Sequence, residues 1–492
     1  MDDFITGLKI EYFDSISEFS IPFVIGIFAF VLPLLLHTIG RIDEIYKSTM
    51  LIKVFRKDLR VKTFISVLIV ALICCILWVF QIPRCVDLGK NVNYFIEDSA
   101  LILLTTSTII LIGCTLCVVH LAYIYYLPEK LFERLKKQYY RSQKKSSKKE
   151  DASMYFTAIS KIMHCALRKS DKVLSEKTYK FFAQEFTSYR DKTTQAVDYP
   201  DEYYNFIIET NEIIFLLPRE KTTYFDESAI ISLLMDKISS RSFYTLWYGI
   251  KQALSFDNDK FIFAYWKRAH QYFCTSFSDN CSSVSEEKRV LPENRKDERE
   301  PFLEFHYVLG GLLMMKEKYA LLKQLLVWTL SDPPKYVLVP ETMSEVIIRF
   351  MSVEKKEIEF EKKGDYFYYD SFYPYPDVSI NFANDIIMMW IKKYLAVLFL
   401  RQYTLIEWFT NPYPMEKPIP PQDSYEKKRW IREFANLRRY VNDYLKNKEL
   451  LNSLGMGELC EEDWFINNNK QSPNDLIDEY VKEIKAGKNT NS

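Results

Sequence analysis

Apolar residues are distributed unevenly along the 492-residue chain. Three long apolar runs, Ile21 to Ile39, Phe64 to Ile82 and Ala100 to Tyr126, lie in its first quarter, and no comparable run occurs later. A helix rises about 1.5 Å per residue, so each run is long enough to cross a hydrocarbon layer of about 30 Å. In the second run Ile, Leu, Val and Phe contribute about −0.3 to −0.6 kcal/mol apiece, which outweighs the few Ser and Cys among them. The stretch Ile380 to Phe399 is similarly greasy but contains Asn384, Asp385, Lys392 and Lys393. Each charge at mid-bilayer depth costs about 2.5 to 3.5 kcal/mol, so this stretch reads as a helix buried in protein.

Downstream, apolar positions recur at helical spacing. Tyr203, Phe206, Ile207 and Ile214 form one such set, Ile230, Leu233, Leu234 and Ile238 a second, and Trp430, Phe434, Leu437, Val441 and Leu445 a third. The predicted fold is all-α, with three N-terminal transmembrane helices followed by a large helical cytoplasmic domain, an irregular helical bundle or an α-solenoid-like stack. The expected divisions are an extracytoplasmic tail over 1–20, a transmembrane region over 21–126 and a basic juxtamembrane linker over 127–151. A first helical lobe over 152–281 and a second over 301–480 come next, separated by the polar stretch Ser282 to Glu300.

Lysine and arginine beside a spanning helix are retained on the cytoplasmic side. The first connection holds Arg41, Lys47, Lys53, Arg56, Lys57, Arg60 and Lys62, whereas the second holds only Arg84 and Lys90. After the third run come Lys130, Arg134, Lys136, Lys137, Arg141 and four further lysines up to Lys149, while the N-terminus is acidic. The chain is therefore expected in a plasma or inner membrane with its N-terminus outside and its bulk in the cytoplasm. The acidic start, with no small-residue cleavage site after the first run, argues against a signal peptide. Both basic segments would also attract anionic lipid head groups.

The 65 basic and 65 acidic residues balance, so no global field points to nucleic acid. Twelve glycines against 34 tyrosines and 35 phenylalanines suit helices packed through bulky side chains better than glycine-dependent nucleotide loops. The nine cysteines are scattered and imply no disulfide framework.

Phe302 to Pro334 resembles a single tetratricopeptide repeat. Leu309 and Gly310 sit at the Leu-Gly pair, Tyr319 at the second-helix aromatic and Pro334 at the closing proline. His306 replaces the usual tryptophan, and Leu322 stands where a small alanine is usual. The resemblance implies a helix-turn-helix hairpin.

Candidate chemistry is sparse. The sequence has no Gly-rich phosphate loop, no His-Glu-x-x-His helix and no Gly-x-Ser-x-Gly elbow, and its five histidines have no metal-ligand spacing. His164 and Cys165 are neighbours, yet adjacent residues on a helix point about 100° apart. No catalysis, metal or cofactor is therefore expected. Three surfaces stand out instead. Thr105, Thr108 and Thr115 align on one arc of the third run, as a pore lining or a helix-packing face. Lys428, Arg432 and Arg439 share a basic face, diluted by Glu433 and Asp443. Tyr366, Tyr368, Tyr369, Phe372, Tyr373 and Tyr375 could form an aromatic ledge. The function these features favour is a membrane-anchored interaction or sensing module that holds a protein partner or signal at the membrane. The alternative is an oligomeric channel or membrane-disrupting effector gated by its cytoplasmic domain, assembled from several copies of the chain.

Overall fold

The computed structural model describes residues 2–79, 90–144, 149–193, 196–217, 227–235, 237–277, 293–328, 338, 343–363, 380–405, 419–461 and 471–486. Among these, all regular structure is helical. The chain forms two compact units, one of residues 1–192 with 199–224 and the other of 193–198 with 225–492.

The first unit opens with α1 (Asp2–Tyr46), followed by the short α2 (Thr49–Lys57), α3 (Leu59–Val79) and α4 (Lys90–Tyr126). Three segments are long and apolar enough to cross a membrane: Phe19–Tyr46, Leu59–Ile76 and Leu103–Tyr126. They pack against one another as a bundle. Val24, Val31, Leu35, Phe64, Leu68, Leu104, Leu111 and Val118 are turned inward, while Ile25, Leu36, Ile69, Ile109 and Leu116 point away from it. The expected tail over 1–20 is helical from Asp2 and continuous with α1. Then come α5 (Pro128–Gln143), α6 (Lys149–Arg168), α7 (Lys172–Arg190) and α8 (Asp201–Leu216).

Most of the expected linker 127–151 is thus helix. Pro128 stands at the first position of α5, where its missing N–H is unneeded, and Leu131, Phe132, Leu135 and Tyr139 recur at spacings of three and four and are buried. The basic residues between them, Arg134 apart, lie away from that buried face, which is why the segment reads as a polar connector.

The second unit contains α9 (Glu227–Met235), α10 (Ser240–Ser255), α11 (Asp259–Phe277), α12 (Glu293–Met315) and α13 (Tyr319–Trp328). It continues with α14 (Met343–Lys363), α15 (Ile380–Leu405), α16 (Ser424–Leu445), α17 (Lys448–Ser453), a 3-10 turn at Gly457–Cys460 and α18 (Pro473–Ala486). Of the stretch expected to be a loop between lobes, Glu293 to Glu300 is the opening of α12. Glu, Lys and Arg are good helix formers, so high charge alone does not break a helix. That stretch belongs to the second unit, whose main part starts at Phe225.

Consecutive helices are joined by tight hairpins. In α6/α7, α10/α11 and α12/α13 the second residue after the helix is left-handed: Ser170 (φ 57°), Asp257 (φ 52°) and Glu317 (φ 55°). The next N–H reaches back to close each end, Asp171 N–H to Ala166 O at 2.9 Å, Asn258 N–H to Ala253 O at 2.8 Å and Lys318 N–H to Leu313 O at 2.9 Å. Asp257 Oδ1 and Asp259 Oδ1 accept Lys318 Nζ at 3.0 and 3.2 Å, tying the α10/α11 turn to that of α12/α13. The described part of the repeat-like segment, up to Trp328, therefore is a hairpin, with a second hairpin beside it, and Pro334 lies outside the described residues. Where α12 crosses α15, a Cβ on Gly310 would lie 2.2 Å from the Tyr394 ring and one on Gly311 3.0 Å from Ile391 N. The Gly-Gly pair is what lets α15 approach.

Candidate functional site

The candidate site lies where the three apolar helices meet α5 and α6. α1 ends at Tyr46, Lys47 turns the chain with φ 49°, and Ser48 caps α2 by accepting Leu51 N–H at 3.3 Å. Leu51, Val54 and Phe55 form the buried face of α2, which packs on α1, α3 and α6. Asp58 ends α2 in extended backbone and opens α3 by accepting Arg60 N–H at 3.0 Å. Its other oxygen is paired with Arg134 of α5, and the Asp58 side chain is only 7% exposed. A single carboxylate thus fixes the end of one helix, the start of the next and the position of a third.

Three further contacts lock this junction. Tyr46 donates to the carbonyl of Tyr125 at 3.2 Å, Phe55 meets the Tyr125 ring edge-on at 5.0 Å, and Cys165 of α6 donates to Ile45 O at 3.4 Å. On the outer side Lys53, Arg56, Lys57, Arg60 and Lys62 are exposed, and Lys57 Nζ is 3.7 Å from Asp151 at the start of α6. Burial pushes the Cys165 thiol above its usual range.

Behind the junction, α5–α8 enclose polar groups in an aromatic core. Glu185 Oε2 accepts Tyr139 OH at 2.7 Å and Gln143 Nε2 at 3.3 Å. Phe156 stacks on Tyr203 at 4.3 Å and Phe182 on Phe206 at 3.9 Å around them. Burial raises the Tyr139 and Tyr203 hydroxyls far above the ordinary tyrosine range, and Tyr140 to about 12.

One arrangement here has the outline of a nucleophile, base and orienting acid. His164 Nε2 is 3.1 Å from Thr210 Oγ1, and His164 Nδ1 is 3.6 Å from Glu209 Oε2. Its chemistry is otherwise. Thr210 is fully buried and its hydroxyl donates to Phe206 O at 2.6 Å, so the proton a base would take is already engaged. Glu209 is held by Lys161 through both oxygens at 2.7 Å, and 3.6 Å is beyond a hydrogen bond to the ring. Burial, with Lys161 and Arg168 nearby, pushes His164 down to about 3. The network is a buried polar clasp between α6 and α8. His164 and Cys165 face different partners, as their helical spacing requires.

The residues singled out by sequence are not brought together. Thr108 is buried in the bundle and donates to its own Leu104 carbonyl at 2.7 Å, while Thr105 and Thr115 sit half-buried at the edge of the same face. Lys428, Arg432 and Arg439 are exposed on α16 in the second unit. Glu433 does not dilute their face. It turns inward, 1% exposed, with its Oε2 2.8 Å from Lys392 Nζ of α15. The aromatic stretch from Tyr366 to Tyr375 lies outside the described residues. Among the described residues no three His, Cys, Asp or Glu side chains gather as a metal site.

Sequence reading missed α2 and the Asp58–Arg134 pair. The signal for α2 was present, a serine followed by apolar residues at Leu51, Val54 and Phe55, but it lay inside a basic cluster that reads as a topogenic loop. No protein-family model, curated protein or solved structure matches this chain, so its function is argued from this geometry.

Proposed function

We propose that the chain is an integral membrane anchor fused to a helical scaffold, which holds a cytoplasmic protein partner at the membrane surface without chemistry of its own. The observation that carries this is the union of the three long apolar helices with α5–α8 in one compact unit, clasped by Asp58–Arg134, Tyr46–Tyr125 and α2 against α6. A rigid joint of this kind sets the height and orientation of the α5–α8 layer at the bilayer surface. Tethering then raises the effective concentration of a bound partner. The charge asymmetry of the loops supports an N-terminus outside and the bulk inside. The channel alternative has less support, because Thr108 is engaged within a single bundle.

Topology is tested by placing cysteines at Glu11 and Lys482 in a chain whose Cys85 is serine, then treating intact cells with an impermeant maleimide. Glu11→Cys should label and Lys482→Cys should label only after permeabilisation; the reverse pattern overturns the reading. Release of the protein by alkaline carbonate would remove the anchor itself. For the scaffold role, crosslinking in cells should give the same partner with the intact chain as with the solubilised protein. Recovery of no specific partner under several growth conditions counts against it.

A further inference from the structure

The cations of α2 and the first turn of α3 have no packing role that accounts for their number. Residues 47–62 hold six lysines and arginines and one acid, Asp58, which is buried against Arg134. Lys53, Arg56 and Lys57 share the side of α2 opposite Leu51, Val54 and Phe55, because they recur at spacings of three and four. Arg60 and Lys62 extend the exposed charge into α3. The location is fixed by chain connectivity: one apolar segment ends at Tyr46 and the next begins at Leu59, so the residues between them, and Arg60 and Lys62 in the first turn of α3, stay near the surface of whatever bilayer those segments cross.

An amphipathic helix at an interface usually buries its apolar face in lipid. Here α2 seals that face against α1, α3 and α6, and Lys53, Arg56 and Lys57 lie on its exposed side. With its apolar face used inside the protein, α2 meets the membrane surface chiefly through charge. We propose that Lys53, Arg56, Lys57, Arg60 and Lys62 form a binding surface for the phosphate groups of acidic phospholipids. The site rests on the membrane reading above and deepens it. Lys57 is shared between this surface and Asp151. Headgroup binding would therefore be felt at the start of α6, and the leaflet's composition would bias the joint that positions the scaffold.

The test uses the full chain in mixed micelles with equal phosphatidylserine and phosphatidylcholine, reading retained lipids by native mass spectrometry. The wild type should retain the acidic lipid in several-fold excess, and 1 M salt should abolish the excess. Each neutralisation among K53Q, R56Q, K57Q, R60Q and K62Q should lower the preference by up to about fivefold. The charge-keeping K53R/K57R/K62R should preserve it, which guards against loss through misfolding, and K428Q/R432Q/R439Q should leave it unchanged. Equal retention of both lipids by the wild type, or an unchanged preference after all five neutralisations, overturns the site while leaving the anchor standing. Failure of the wild type to enter lipid at all overturns both.

Discussion

Two long apolar helices of this chain, α4 in the first unit and α15 in the second, turn their greasy residues in opposite directions. In α4, Leu103, Ile109 and Leu116 are 52%, 66% and 67% exposed, whereas in α15 every residue from Tyr394 to Leu400 is at most 1% exposed. Their charged residues explain the difference. The apolar segment of α4 carries no Asp, Glu, Lys or Arg. On α15, Lys392 Nζ pairs with Glu433 at 2.8 Å and Lys393 lies 4.1 Å above the Trp390 ring. A lipid-facing helix offers no such partners, while a helix inside protein can recruit them from neighbours. Hydropathy alone measures how far a helix avoids water, and the fate of its charges decides which medium replaces the water.

Breaking the α15 pairing should have the largest effect. Glu433→Ala leaves the Lys392 ammonium 13% exposed without its carboxylate, a loss of about 3–5 kcal/mol. Denaturation of the solubilised protein should show it, and K392M/E433L should recover most of the loss. Unchanged stability in E433A would mean the pair is solvated. Next in size, Leu116→Lys puts a charge on the outward side of α4 and should cost about 3 kcal/mol of insertion, read as a smaller membrane-inserted fraction. Ile348→Lys, at a site 47% exposed on α14, should change stability by under about 0.5 kcal/mol. If the two lysines behave alike, the outer face of α4 meets water and the contrast collapses.

Much of this contrast is legible in the sequence. Lys392 and Lys393 alone argue that Ile380 to Phe399 does not cross a bilayer, and the charge-free runs give the three candidate spans. What could not be read is what depends on distant partners. Asp58 looks like one acid in a basic loop until Arg134, 76 residues on, is folded against it. Glu433 looks like part of a surface because Lys392 comes from another helix. Helix ends were hidden for a local reason: Ser170, Asp257 and Glu317 occupy left-handed positions where the usual signal is glycine. At residues 293–300, dense charge imitates a loop although its residue types favour helix.

Acid should expose a second kind of buried polar group, one with no charge to pair. His306 of α12 is fully buried, its Nδ1 2.7 Å from Phe302 O and its ring stacked 5.8 Å from Tyr265 with Trp266 edge-on at 5.2 Å. Burial pushes it down to about 3, as it does His164 in the first unit. Both are neutral when folded, so the unfolded chain binds more protons between the ordinary histidine value of about 6.5 and the depressed one. Stability is full above that ordinary value and falls as the pH drops below it. From pH 8 to pH 5 each histidine should cost about 2 kcal/mol. His270, half-buried and also lowered, adds in the same direction. Denaturation midpoints at the two pH values measure the sum, and H306F or H164Q should each remove its own share of the slope. A slope unaltered in both variants would reassign the acid sensitivity to carboxylates.

The smallest effect should separate two registers of one helix. On α16, Lys428, Arg432 and Arg439 point to solvent, and Arg432 is 3.9 Å from Glu433, too far for a hydrogen bond. Arg439 lies 5.1 Å above the Tyr440 ring at the surface, where such contacts are weak. Neutralising these three should shift stability by no more than about 0.5 kcal/mol apiece. Arg429, one residue after Lys428, is 7% exposed and bound to Glu426 at 2.8 Å. R429Q should therefore cost visibly more than K428Q, since only the former changes a buried, paired side chain. Equal costs would place the whole basic run in solvent and remove the turn of α16 that carries Glu433 inward to Lys392.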